Sequence, residues 1–457
     1  MFQDYSFRNP VLSLWQASVA EVHRRRQSVQ SRMAGAIPNV APAASTQVAD
    51  LMAPAHLLAT AVAKDSTPAN LFNAPKAAAT GLGSTVQSAA DCAKAAAEFL
   101  WAEMTGNQAR AKELAGELKY SVCDATGWAE CVTTFLAYKT LHTTLPYRPN
   151  KDVVINLGTR KKFAIIGDWG TGDAVAINVL QQVANFKPDV LIHLGDVYYA
   201  CTQSEAHNNF LDICRVVLGD SVSLYSLCGN HDMYSGGTGY YWLVDRIGQQ
   251  SSYFCLQNDD WQFLAMDTGH NDSDPATVSS NMTNLVTAGS WSEANWQVQK
   301  IQQAGKRKTV LLSHHQLFSP FGSVGKNAGQ DCSYNPNLLS IFQPVLPNIE
   351  WWFWGHEHTF AIYDSYLGLK RGRCLGASAV PVFTNQQKYA PGSGLQTCPG
   401  ATLPTWNSKG VLGDNGSQYD NCFAIMTLDG AAANVDYYKV PLLKSAVRLD
   451  VTDTVTA

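Results

Sequence analysis

The chain has little net charge, no cysteine pair at zinc-ribbon spacing, no apolar run of bilayer length and no evident internal repeat. Each absence removes a class of protein. Thirty-three basic residues against thirty-seven acidic ones leave a formal charge of −4, so no broad field draws nucleic acid or an anionic membrane surface. An anionic substrate must be attracted locally. Eleven cysteines occur without a Cys-x-x-Cys, and Cys228, Cys255 and Cys422 lie in apolar runs. That pattern reads as buried free thiols in a reducing compartment. No apolar run approaches the ~18 residues of a membrane span. Between Met1 and Gly35, Arg24-Arg25-Arg26 follow the apolar stretch instead of preceding it, so the order of a secretory leader is missing. The expected location is cytoplasmic, with secretion left open.

At 457 residues the chain exceeds one typical core. Residues 1–150 differ from the rest. Leu12, Trp15, Val19 and Val22 recur at helical spacing, as do Ala89, Ala93, Ala96, Phe99 and Leu100, and then Leu114, Leu118, Trp128, Val132 and Phe135. Between these tracts, 37–84 is rich in Ala, Pro, Ser and Thr and reads as a flexible segment. The expectation is a helical N-terminal region able to pack on the rest of the chain or to self-associate. From 151 to 457 the pattern turns to strand, turn and helix: Lys161–Ile166, a helix capped by Asp173, then Val190–Leu194. Runs apolar on both faces, alternating with helices, predict an α/β sandwich of two packed mixed sheets flanked by helices. Strands between 372 and 440 complete those sheets.

Five segments end apolar runs with metal-seeking side chains: Gly167-Asp168-Trp169-Gly170, Gly195-Asp196-Val197-Tyr198-Tyr199, Gly229-Asn230-His231-Asp232, Ser313-His314-His315 and Gly355-His356-Glu357-His358. Singly, each is ordinary turn chemistry. Jointly they place donors at the carboxyl ends of strands, where open sheets form their ligand crevice. Asp, Asn and His donors without cysteine favour Fe, Zn or Mn over Mg alone. Phosphoester hydrolysis builds negative charge while water must become nucleophilic, and two cations about 3.5–4 Å apart serve both needs. Asp196, in the middle of the order, is the expected bridging carboxylate, since its two oxygens can serve both ions. His356 and His358 alternate with Glu357, which on an extended segment turns both imidazoles to one side. Tyr198 is expected to point away from Tyr199. Trp351, Trp352, Phe353 and Trp354 are expected to fill the sheet core, His193 to be a satisfied core histidine, and Arg371 and Arg373 to be solvated.

Over roughly Lys161 to Asp364 the five blocks, in this order, resemble the purple acid phosphatase branch of the calcineurin-like metallophosphoesterases. Many relatives carry Asp-x-His in the first block; here the third position is Gly170, and Tyr199 stands where the purple branch places a ligating tyrosine. The resemblance implies Fe(III) held by Asp168, Asp196, Tyr199 and His358, and a divalent Fe, Zn or Mn held by Asp196, Asn230, His314 and His356. It further implies that His231 contacts the phosphate and assists the leaving group, with Asp232 orienting it, and that Asn230, His231 and His315 face substrate. Adjacent histidines leave the choice between His314 and His315 open. The implied activity is hydrolysis of phosphate monoesters on a phosphorylated small molecule by a metal-bound hydroxide. A phosphodiesterase with the same cage is the alternative, and a partner-binding scaffold with a structural metal site is the alternative of another class.

Overall fold

The structure, a computed structural model, describes residues 134, 147–148, 152–273, 285–288, 290–327, 330–384, 387–392, 395, 402–416 and 418–457. The expected helical region over 1–150 and its segment 37–84 therefore lie outside the described residues, apart from those three positions.

Among the described residues, thirteen strands build two mixed sheets: β1 (Val154–Asn156), β2 (Arg160–Ile166), β3 (Val190–His193), β4 (Ser223–Ser226), β5 (Phe254–Gln257), β6 (Trp261–Ala265), β7 (Lys308–Leu312), β8 (Ile349–Trp354), β9 (Phe360–Ile362), β10 (Gly372–Leu375), β11 (Asn421–Asp429), β12 (Ala432–Val440) and β13 (Val447–Val455). One sheet runs β1-β5-β6-β7-β8-β10-β9 and the other β13-β12-β11-β2-β3-β4. The strands that end in the five segments are parallel neighbours: β2 with β3, β3 with β4, and β7 with β8. Parallel pairing puts their carboxyl ends on one rim of each sheet.

Side-chain alternation explains the layers. Phe163 and Ile165 of β2, Val310 and Leu312 of β7, and Trp351 and Phe353 of β8 meet in the core between the sheets. Ala164 and Ile166 face the other way, under α1 (Ala174–Ala184), α2 (Asp212–Leu218) and α3 (Thr238–Arg246). Leu311, Trp352 and Trp354 face outward from their sheet, beneath α4 (Glu293–Gln302) and α5 (Pro336–Phe342). The result is helix, sheet, sheet, helix, as the binary pattern predicts. Asp173 caps α1, its carboxylate accepting from the Ala176 N–H at 2.9 Å.

Three expectations need correction. Arg373 is buried, not solvated: β10 carries it into the sheet interior, where Nε and Nη2 donate to the two Asp453 oxygens at 2.7 and 2.8 Å. Strand β13, which supplies Asp453, lies beyond the range read as strand, because an edge strand alternating Arg, Asp and Thr with Val and Leu lacks an apolar run. Cysteines 201, 214, 228, 255, 374 and 422 are free and buried, but Cys332 is disulfide-bonded, against the reading of a wholly thiol chain. No described helix is long and apolar enough to cross a membrane.

Candidate metal centre

The five segments meet. After β2 the backbone turns through Asp168 (φ 54°), after β3 through Asp196 (φ 74°), and after β8 through His356 (φ 68°) and His358 (φ 47°). Left-handed backbone at a residue other than glycine is uncommon and accumulates at functional sites. Here it turns four side chains back over the strand ends. Neighbouring glycines clear the space: a Cβ on Gly229 would stand 2.1 Å from Asp196 Oδ1, and Gly195 takes φ +106° beneath His314.

Hydrogen bonds then tie the turns to one another. Asp232 accepts from three backbone N–H groups, Gly229 at 2.7 Å, Asp196 at 3.0 Å and Val197 at 3.1 Å, which clamps the turn after β3 to the turn after β4. Burial pushes this carboxyl up to about 6, against the three donors that favour its anion. Asp196 Oδ1 accepts from His231 N at 2.9 Å, and Asp168 Oδ2 accepts from His356 N at 2.7 Å. Each carboxylate thus spends one oxygen on the frame and turns the other inward.

Two donor groups result. In the first, Asp168, Asp196 and His358 offer ligand atoms within 4.8 Å of one another. The Tyr198 hydroxyl lies among them, 3.1 Å from Asp168 Oδ1, 3.4 Å from Asp196 Oδ2 and 2.9 Å from His358 Nε2. In the second, His314 Nε2 is 3.0 Å from Asn230 Oδ1 and 3.1 Å from His356 Nδ1. Asp196 Oδ2 faces both groups, since it also stands 3.4 Å from His314 Nε2.

The protonation pattern of the second group is informative. His314 Nδ1 lies 2.9 Å from the Leu194 carbonyl, so that nitrogen carries the proton and Nε2 presents a lone pair. Burial, then the neighbouring His315, keep this imidazole neutral. Its lone pair and the lone pairs of Asn230 Oδ1 and Asp196 Oδ2 therefore point at one another. In the first group, burial and the adjacent Asp168 and Asp196 hold the Tyr198 phenol well above its ordinary range, so it donates to the carboxylates when no cation is near.

His315 stands beside His314, and the two offer ligand atoms within 4.8 Å of one another and of His356. The His315 Nδ1 lies beside Thr268 Oγ1 and its Nε2 beside Asp272 Oδ2, each at 3.0 Å, and its ring lies 4.4 Å from that of His356. His231 sits between the groups, Nδ1 2.5 Å from the Tyr199 carbonyl and Nε2 3.8 Å from Asp196 Oδ2.

Two local readings change. Tyr198 does not point away, because Val197–Ala200 is a turn rather than a strand, and strand alternation does not govern it. The Tyr199 N–H donates to Glu205 Oε1 at 2.5 Å and its carbonyl faces His231. Asp232 orients the backbone of three residues. His356 and His358 do reach different groups, but through left-handed turns rather than an extended segment, with Glu357 turned toward the Tyr363 hydroxyl at 3.4 Å. His193 is a core histidine, its Nδ1 3.0 Å from Ser226 Oγ. His207 pairs with Asp212 at 3.0 Å on an exposed face. Sequence reasoning missed Tyr198, Tyr234, Thr268 and Asp272. The Tyr198-Tyr199 doublet was the one visible signal; nothing local marks the others.

Among solved structures the chain is similar to purple acid phosphatase PPD1 from yellow lupin (Lupinus luteus) seeds, at 12% identity and TM-score 0.40, covering 62% of this chain and 52% of that one. It is also similar to GAP50, the anchor in the inner membrane complex of Plasmodium, at 12% identity and TM-score 0.39, over 64% of this chain and 90% of that one. A third is Vps29 from Entamoeba histolytica, at 11% identity and TM-score 0.29, over 65% and 99%. The chain thus spans about half the length of the lupin protein. No curated protein matches it. The family model described as calcineurin-like phosphoesterase matches residues 161–360, the segment that contains the whole donor constellation.

Proposed function

We propose that the chain is a purple acid phosphatase-like hydrolase of phosphate monoesters that works with one ferric and one divalent cation. The observation that carries this reading is the inward Asp196 oxygen, which faces a tyrosine, carboxylate and imidazole group on one side and an amide and imidazole group on the other. The donors fit cations. Buried carboxylates are costly without positive charge, and lone pairs that face one another, as on His314 and Asn230, are relieved by a shared cation. Hard anionic oxygens suit Fe(III), whereas neutral imidazole and amide donors suit divalent Fe, Zn or Mn.

Asp168, Asp196, His358 and a tyrosine would hold the ferric ion, and Asp196, Asn230, His314 and His356 the divalent one. For the tyrosine, the hydroxyl position of Tyr198 favours it over Tyr199. When bound, two such ions polarise phosphoryl oxygens and make water nucleophilic near neutrality. The chain's own residues do the rest. His231, with Nδ1 directed to the Tyr199 carbonyl, keeps Nε2 beside Asp196, where it can bind a phosphoryl oxygen and hold a proton for the departing alkoxide. His315, braced by Thr268 and Asp272, would line the cavity next to it. The Cys332 disulfide favours an oxidising compartment over the cytoplasm.

Protein loaded with iron and zinc is expected to absorb visible light through a tyrosine-to-iron band and to cleave an aryl phosphate faster than its bis-ester. Tyr198→Phe should lose the band and Tyr199→Phe should keep it; the reverse reassigns the donor to Tyr199. A dominant bis-ester rate replaces the monoesterase reading with a phosphodiesterase. Metal-loaded protein that hydrolyses neither ester would instead favour a non-catalytic role.

A further inference from the structure

We propose that Tyr234 is a positioning residue that keeps the oxygen of the Asn230 amide facing the divalent cation; the inference rests on the metal reading above. An amide carries an acceptor oxygen and a donor –NH2 of nearly equal size, and only the oxygen binds a cation. Asn230 has a tempting alternative. With its amide reversed, the –NH2 would donate to the lone pair on His314 Nε2, 3.0 Å from the atom that now holds that place, and the two residues would satisfy each other without any ion.

The observed orientation sends Nδ2 away from His314, to the Tyr234 hydroxyl at 2.6 Å. Tyr234 and Asn230 are both fully buried, so no solvent stands ready to accept that N–H. A buried donor left without an acceptor is costly, and the hydroxyl, by accepting that N–H, removes the cost in the observed orientation, which leaves Oδ1 for a cation. Tyr234 is four residues beyond Asn230, just past the 3-10 turn His231–Met233, which swings its side chain back over the start of the turn. Its ring also lies 4.8 Å from that of His231, so the same residue backs two neighbouring members of the segment. Oxygen at the end of the Tyr234 ring is thus the feature to remove, and the ring the feature to keep.

The test titrates Mn(II) into metal-free protein and resolves the two binding events, for wild type, Tyr234→Phe, Asn230→Ala and the double variant. Loss of an outer hydrogen bond to a metal ligand typically weakens metal affinity 10–100-fold. Tyr234→Phe is expected to weaken one event by about tenfold and leave the other, at Asp168 and His358, unchanged. In the Asn230→Ala background the same change should do nothing further, because the amide it acts through is gone. Unchanged affinity in Tyr234→Phe overturns the proposal, as does an equal loss in both backgrounds or a Tyr234→Phe chain that fails to fold, since each makes the hydroxyl irrelevant or merely structural. Wild type that takes up no Mn(II) at all sinks the metal reading itself, a result distinct from two normal events in the Phe variant.

Discussion

The two halves of the centre are built from different materials. One half gathers Asp168, Asp196 and Tyr198 around a single imidazole, His358; the other gathers His314, His356 and the Asn230 amide. The first is rich in oxygen donors that carry or can carry negative charge, the second in imidazole and amide donors, of which His314 is held neutral by burial. Placed side by side with Asp196 facing both, they present donor sets of different hardness. The difference also shows how each half is braced. The oxygen half is held by backbone N–H groups, with His356 N on Asp168 and His231 N on Asp196, whereas the nitrogen half is held by a carbonyl at the far side of His314 and a hydroxyl at the back of Asn230.

The largest expected effect comes from the residue the halves share. Asp196→Ala should cost both ions and lower kcat/KM by about a thousandfold, since charge stabilisation by bound metal is worth several kcal/mol at ~1.4 kcal/mol per tenfold. Metal analysis of the purified variant checks it. Asp168→Ala and His314→Ala sharpen the contrast: each should empty its own half, so that the first loses iron and keeps one divalent ion, and the second does the opposite. Loss of both ions in either variant would break the division into halves.

Asp232→Asn comes next. The amide supplies one acceptor where three N–H groups converge, and its –NH2 would face a donor. The expected result is a 10–100-fold weaker hold on metal, read by competition with a chelator, together with a lower denaturation midpoint. An unchanged affinity would show that the clamp between the two turns is dispensable.

The smallest effect lies away from both halves. Burial pushes His193 down to about 3 from its ordinary 6.5. Its folded value is below its unfolded one, so the unfolded chain binds the extra proton; the stability is fully present above pH ~6.5 and is lost as pH falls toward 3. By pH 5.5 the loss is about 1.4 kcal/mol. Urea unfolding of His193→Gln at pH 7 and 5.5 should show a drop smaller than wild type by that amount. Identical drops would remove the burial argument.

Much of this was legible in the chain, for physical reasons that differ by element. Phe163 with Ile165, Val310 with Leu312, and Trp352 with Trp354 repeat at the two-residue period of a strand, so β2, β7 and β8 could be read directly. Four of the five segments announce themselves because a strand-end turn that aims a ligand needs glycine beside it, as Gly229 stands beside Asp196. What stayed hidden depends on contacts far apart in sequence. Asp453 completes an ion pair with Arg373 from an edge strand of mixed polarity. Asp272 and Thr268 fix His315 from a loop with no motif, and the turn at Tyr198 replaces the alternation a strand would impose.

The central claim is that two cations share the inward oxygen of Asp196. X-ray absorption at the iron edge of the iron- and zinc-loaded protein tests it most directly. The expected result is a metal scatterer about 3.5–4 Å from iron that disappears in Asp196→Ala; an iron environment with no metal neighbour, in protein that holds one ion of each kind, would contradict it.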